Sequence, residues 1–162
     1  PWYTGGYDRV EQPDGSEKQY YWAELQPAVV VVARSADHLV MVEQYRPAVR
    51  ETHLELPAGI VERGESYTTA GVRELREETG YAADSASLLG DYWTATGILR
   101  HRRAIVFADG LEPVELDRDE NEFLTVTPVP IDRALEMVRT APSHDATLEG
   151  VLLAGDAGLL ER

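Results

Sequence analysis

The 162 residues include no cysteine. Disulfides, thiolate metal sites and thiol nucleophiles are therefore excluded, and a cytoplasmic protein is expected. Lysine is nearly missing as well: Lys18 is the only one among 15 basic residues, the rest being arginine. Positive charge is short overall, with 29 Asp and Glu giving a formal net charge of −14. Such a chain repels polyanions, so nucleic acid polymers and anionic membranes are not expected partners. A compact phosphorylated substrate would need a local cation in order to bind. Excess acid with so little lysine also suggests a halophilic protein, whose stability would rise with molar KCl. No apolar run approaches the roughly 18 residues of a membrane span; "PAVVVVA" is far shorter and reads as a buried strand. No signal peptide is visible, and a start at Pro1 rather than Met reads as a trimmed terminus.

The length suits one domain with a real core. "EQPDGSE" (11–17) is a turn, followed by the aromatic strand "KQYYWAEL". "PAVVVVAR" (27–34) is continuously apolar and is expected to be covered on both faces. "LVMVEQYR" (39–46) and "THLELPAG" (52–59) are expected to give one strand each. A helix follows, with Ser66 or Thr68 as N-cap and Gly80 ending it. "ASLLGDYW", "RRAIVFAD" (102–109) and "FLTVTPV" (123–129) read as strands. "IDRALEMVRT" and "HDATLEGVLLAG" read as two closing helices. The order is not a regular βαβ alternation, so the expected class is α+β: a mixed β-sheet with helices on its faces. Residues 1–25 form an expected arm, and 26–162 the main domain. Trp2, Tyr3, Tyr7, Tyr20, Tyr21 and Trp22 of the arm either cover an interface with a second subunit or pack on their own sheet.

"GVRELREETGY" (71–81) is the costly stretch. Glu74, Glu77 and Glu78 fall within an arc of about 100° on one helical face. Glu74 and Glu78 are a like-charge i,i+4 pair, worth about 0.2–0.5 kcal/mol of repulsion on an exposed helix. The charges also sit toward the C-terminal, negative end of the helix dipole. Arg73, four residues before Glu77, relieves part of this. A solvated acidic face is one reading; compensation by a bound cation is the other. Hard divalent ions such as Mg²⁺ take carboxylate oxygens together with phosphates and water. Glu74 and Glu78, one turn apart, can hold one. Ala70 and Gly71 lie on the same arc and, being small, are expected to leave room for ions and substrate. Leu75 and Val72 point elsewhere and anchor the helix, and Glu65 at its entrance is placed to brace Arg73.

The full string "GIVERGESYTTAGVRELREETGY" (59–81) resembles the signature of the Nudix hydrolases. Gly59, Glu65, Arg73, Glu74, Leu75, Glu77, Glu78 and Gly80 match it, while Tyr81 stands where an aliphatic residue is usual. The resemblance implies a Nudix-type α/β/α sandwich in which the box forms a loop–helix–loop. It also implies a Mg²⁺-dependent (or Mn²⁺-dependent) hydrolase of nucleoside diphosphate-linked compounds, with Glu74 and Glu78 as metal ligands. Gly59, Glu65, Arg73 and Gly80 would be structural.

Two flanking segments resemble the ADP-ribose pyrophosphatase subgroup. "VEQYRPAVRETHLELPAG" (42–59) implies Arg46 as a phosphate or ribose contact and Ala58 as a carbonyl ligand of the metal. An ordinary surface arginine is the alternative for Arg46. "DRDENEFLTV" (117–126) implies Glu120 as the catalytic base and Glu122 as a further metal ligand, with Glu77 or Glu74 as the other catalytic carboxylates. The subgroup also implies a homodimer. One stretch departs from it: "ATGILRH" (95–101) keeps Gly97 but has Thr96 for the usual proline and His101 near an expected acid. Arg100, His101, Arg102 and Arg103 there make a basic cluster, read either as substrate contacts, Arg100 first, or as a plain surface loop. The departure leaves other nucleotide sugars or damaged nucleotides as alternative substrates. A non-catalytic nucleotide sensor is the alternative of another class. His38 lies in a turn, His53 is expected to pack, and Ser143, His144 and Asp145 are read as the start of the last helix.

Overall fold

The computed structural model describes residues 2–115, 123–140 and 142–161. Its described elements begin with β1 (Tyr3–Glu11), β2 (Glu17–Leu25), β3 (Ala28–Ser35), β4 (His38–Arg46), β5 (Glu51–Glu55), β6 (Ala58–Ile60) and α1 (Tyr67–Thr79). They continue with β7 (Tyr81–Trp93), β8 (Leu99–Arg100), β9 (Arg102–Pro113), β10 (Leu124–Pro130), α2 (Ile131–Val138) and α3 (Asp145–Asp156). The main sheet runs β10-β4-β3-β9-β7, with β5 paired to β4 and β6 to β3. β3 and β9 are parallel and the other pairs antiparallel, so the sheet is mixed.

The apolar run of β3 is explained by what lies on each side of it. Val30 and Val32 face a core shared with α2 and α3, including Ala134, Val151 and Ala154. Val29, Val31 and Ala33 face the other way, toward Ala70 and Leu75 of α1. Period-two alternation thus feeds two cores, and neither face can be polar. The result is the expected α/β/α sandwich.

The segment 52–59 is not one strand. β5 ends at Glu55, and after Leu56 and Pro57 the chain changes partner from β4 to β3. Pro57 has no N–H to give a ladder, but its carbonyl accepts from Val31 N–H at 2.8 Å. The switch carries Ala58 and Gly59 beneath α1.

The arm is a β1–β2 hairpin, paired from Tyr3↔Leu25 to Glu11↔Glu17. A Cβ on Gly6 would meet the Trp22 ring at 3.0 Å, so Trp22 packs on its own hairpin. Trp2, Tyr3, Tyr7, Tyr20 and Tyr21 remain exposed. The hairpin is tied to the main domain where β2 pairs with β8.

Candidate active site around the acidic helix

The ends of α1 follow from local chemistry. Ser66 is the N-cap, its hydroxyl accepting from Thr69 N–H at 3.1 Å. Gly80 closes the helix at φ 71°, a left-handed conformation that glycine adopts without a Cβ penalty, and donates to the Arg76 carbonyl. The helix lies so close to the sheet that a Cβ on Gly71 would stand 3.2 Å from Val106. Ala70 is fully buried against Val29 and Val106. This corrects the sequence reading: Ala70 and Gly71 are small so that the helix can seat on β9, not to make room for ions.

The room next to the carboxylates comes from Gly59. A Cβ there would lie 2.0 Å from the Glu74 carboxyl carbon, inside the space that group occupies. Glu74 is only 7% exposed and Glu78 only 5%. Glu78 Oε2 accepts from Ala58 N–H at 3.0 Å, which fixes the β6 loop against the helix.

Arg73 organises the rest. Its five N–H donors meet five acceptors: Glu65 twice, at 3.0 and 3.1 Å; Glu74 at 2.9 Å; Glu77 at 2.8 Å; and the Ile60 carbonyl at 2.9 Å. The hydrogen bond with Glu65 and the neighbouring Glu74 hold Arg73 firmly protonated against the opposing cost of burial. Glu65 in turn is held below the usual carboxylate range, first by Arg73. Three carboxylates thus share one guanidinium, and one of them, Glu74, is buried, as is its neighbour Glu78. An all-oxygen donor set with excess negative charge fits a hard divalent cation. Among the described residues no three Asp, Glu or His side chains form a ready-made metal cluster. Glu120 and Glu122 lie outside the described residues.

Arg46 is not a loose surface side chain. Its Nε donates to Glu55 Oε1 at 2.9 Å and its Nη2 pairs with Oε2. It also feels the negative charge of Glu78. Glu55, absent from the sequence-derived candidates, is 0% exposed. His144, preceding α3, has its Nε2 3.7 Å from Glu55 Oε2. The His53 ring is 6.1 Å from that of His144, and its buried Nε2 has no hydrogen-bond partner.

Gly97 and Arg100 belong to a different neighbourhood. With Asp8 and Trp22 they border a cleft of about 170 Å³ between β8 and the hairpin. Arg100 pairs with Asp8 at 2.7 Å and stacks 3.8 Å over Trp22. The expected basic cluster is also dispersed. Arg102 pairs with Asp91, and Arg103, adjacent on the strand and so on the opposite face, pairs with Asp145 and Glu149. Each arginine is matched by acid, so 100–103 is no free basic patch.

His101 and His144 are both held below the ordinary imidazole value of 6.5, burial being the first cause in each. Glu55 and Asp145 pull His144 back upward. Burial favours the neutral folded form, so on acidification the unfolded chain takes up protons first. Their contribution is complete above about pH 6.5 and falls from there toward each folded value. Carboxylates held low by their partners, such as Glu65 and Asp109, lose theirs only below their ordinary values of 4.5 and 3.8. The thermal midpoint is therefore expected to drop between pH 7.5 and 5.5, and His144→Asn to flatten that slope. An unchanged slope in thermal scans of the variant would remove His144 from this account.

Residues 24–149 match the NUDIX domain family. An ADP-ribose pyrophosphatase of Bacillus subtilis (strain 168) is 33% identical over 140 residues, 85% of this chain and 76% of the relative. A methanol dehydrogenase activator of Bacillus methanolicus is 32% identical over 142 residues, 86% and 77% of the two chains. A crystal structure of an ADP compounds hydrolase superposes with a TM-score of 0.87 at 24% identity, covering 96% of this chain and 85% of that one. At that identity the last likeness speaks for the fold.

Proposed function

This chain belongs to the Nudix family of hydrolases, and on that basis we propose that it cleaves the diphosphate of ADP-ribose to AMP and ribose 5-phosphate. The observation that carries this reading is the buried pair Glu74 and Glu78, seated beside Gly59 with Arg46 within electrostatic reach. The substrate choice leans on the "QYR…LPAG" segment and on the name of the Bacillus subtilis relative. Glu74 and Glu78 would hold Mg²⁺, or Mn²⁺ in its place, with the Ala58 carbonyl and Glu122 behind them. A bound cation would polarise a phosphoryl oxygen and lower the pKa of its water. Glu120 is the proposed base for the attacking water, with Glu77 as the alternative. Arg46 would grip the diphosphate and offset charge on its oxygens. Water adds to one phosphorus, the P–O–P bond breaks, and the leaving phosphate carries the electron pair away.

A second reading, another nucleotide sugar as substrate, is favoured by the Thr96 departure together with the cleft that joins Gly97 and Arg100 to the hairpin. A catalytically silent sensor is disfavoured because every box carboxylate is kept. Residues 1–25 would serve as the arm of a homodimer, supported by the exposed Trp2, Tyr7 and Tyr21. No helix among the described residues is long and apolar enough to cross a membrane, and a cytoplasmic, halophilic setting is proposed from composition.

The test is phosphate-coupled turnover of ADP-ribose, GDP-mannose, UDP-glucose, diadenosine polyphosphates, NADH and 8-oxo-dGTP. It is run with and without Mg²⁺, at low and molar KCl, with light-scattering mass measured in the same buffers. Mg²⁺-dependent preference for ADP-ribose is expected. Preference for another compound shifts specificity to "ATGILRH", and no turnover of any would favour the sensor. A monomeric mass would refute the dimer, and indifference to KCl the halophilic reading.

A further inference from the structure

Glu55 presents a puzzle in energetics. It is the most deeply buried charged side chain among the described residues and lies between two leucines. An apolar side chain at such a position would ordinarily stabilise at least as well as a buried ion pair. Arg46 does not come to Glu55 by strand register either. Glu55 lies opposite Val42, while Arg46 lies opposite Glu51. Arg46 is four residues further along β4, about 13 Å at the rise of a strand. Its side chain runs back along the hairpin to reach the carboxylate. The other side of Glu55 is held from α3. Leu56 N–H donates to Thr147 Oγ1 at 3.2 Å, and Thr147 Oγ1 lies 3.2 Å from His144 Nδ1. The arrangement that satisfies every group has the Thr147 hydroxyl donating to Nδ1, which leaves the proton on Nε2, the nitrogen facing Glu55. α3 itself is seated hard against this loop: a Cβ on Gly150 would meet Leu56 Cδ1 at 2.6 Å.

The geometry points to Glu55 as a positioning residue that aims the Arg46 guanidinium at the substrate diphosphate, with His144 and Thr147 holding Glu55 from behind. The inference rests on the proposed role of Arg46 as a diphosphate contact. Arg46 keeps free donors after pairing, because Nε and one Nη2 hydrogen face Glu55 while Nη1 is uncommitted by that fork. A guanidinium tethered along one edge offers the remaining edge in a fixed plane, and fixed direction is what a bidentate phosphate grip needs. A glutamine in place of Glu55 would keep the volume but turn one acceptor into a donor that opposes the guanidinium, so Arg46 would be released rather than removed.

The experiment is a double-mutant cycle on turnover of the diphosphate the wild type prefers, at saturating divalent cation, with far-UV circular dichroism confirming each fold. Glu55→Gln is expected to lower kcat/KM about tenfold or more, chiefly through KM, on the scale of other losses of substrate alignment. Arg46→Ala should lower it at least as much. In the Arg46→Ala background Glu55→Gln should add less than about a twofold change, because its target is gone. Equal losses in both backgrounds would mean that Glu55 acts on the fold at large and would overturn the inference. Normal kinetics for Glu55→Gln beside an impaired Arg46→Ala would overturn it while sparing the role of Arg46. Normal kinetics for Arg46→Ala would instead defeat the proposed substrate contact, and the positioning role with it. Should Glu55→Gln not fold, His144→Asn in the same two backgrounds reads the link from α3: a loss of about threefold or more is expected in the wild type only, and equal losses in both overturn it.

Discussion

Glu78→Gln is expected to lower kcat at least about a thousandfold while leaving the thermal midpoint within a few degrees of the wild type. The rate loss should exceed the roughly 10–100-fold that removal of outer-shell partners costs a metal site, because Glu78 is a proposed ligand itself. The stability balance is close for specific reasons. Glu78 Oε2 accepts from Ala58 N–H at 3.0 Å, and the glutamine oxygen can take over that bond. The substitution also removes a carboxylate that is 5% exposed and repelled by Glu74 one turn away. Glu78→Ala should match the rate loss, but it orphans the Ala58 N–H, at a cost of about 1–3 kcal/mol. Steady-state kinetics with a Mg²⁺ titration, paired with thermal scans with and without Mg²⁺, separate the effects. The wild type should gain stability with Mg²⁺ and Glu78→Gln should gain much less. Near-normal turnover in either variant would refute the ligand assignment.

How much of this was legible in the sequence depends on whether the cause was local. Ser66 and Gly80 are set by bonds within a few residues, so both ends of α1 follow from the string alone. The Glu65–Arg73 contact follows from motif spacing. The β5–β6 break does not: it arises because the chain changes strand partners at Pro57, and partners are chosen across the fold. Ala70 and Gly71 lie on the arc that the spacing predicts but face the sheet rather than open space, since an arc says nothing about which of the two it meets. Arg100–Arg103 look like a cluster in the string, yet strand alternation and separate acidic partners disperse them. Glu55 was hidden for a related reason. In Leu-Glu-Leu, alternation puts the glutamate on the wet face, but that face is closed off where Arg46 and His144 converge on it. The base proposed at Glu120 and the metal ligand proposed at Glu122 rest on resemblance alone, because the described residues do not include them.

Arg73→Ala should be the most destabilising single change in the site. All five donors of Arg73 are engaged, and four of their five acceptors are carboxylate oxygens. Removing it leaves Glu74, with its side chain 10% exposed, without that partner and beside Glu78. Breaking a fully buried ion pair costs about 3–5 kcal/mol. The Glu77 end is 38% exposed and screened by solvent, so it contributes little. A net loss of about 2–4 kcal/mol is therefore expected, or roughly 5–15 °C in thermal midpoint for a domain of this size. Arg73→Lys should recover only part, since an ammonium cannot reproduce the bidentate contact with Glu65. Two further readouts identify the cause. Mg²⁺ should restore more stability to Arg73→Ala than it adds to the wild type, because the variant keeps the carboxylates and lacks their internal cation. Acid should narrow the gap between the two proteins. Arg73 is the main reason Glu65 is held below its ordinary value of 4.5, so that stabilisation is present above pH 4.5 and is lost as pH falls through the depressed folded value. The variant has none of it to lose. A gap that stays constant from pH 7 to pH 3, with no extra gain from Mg²⁺, would mean that Arg73 acts through packing of its stem rather than by balancing charge.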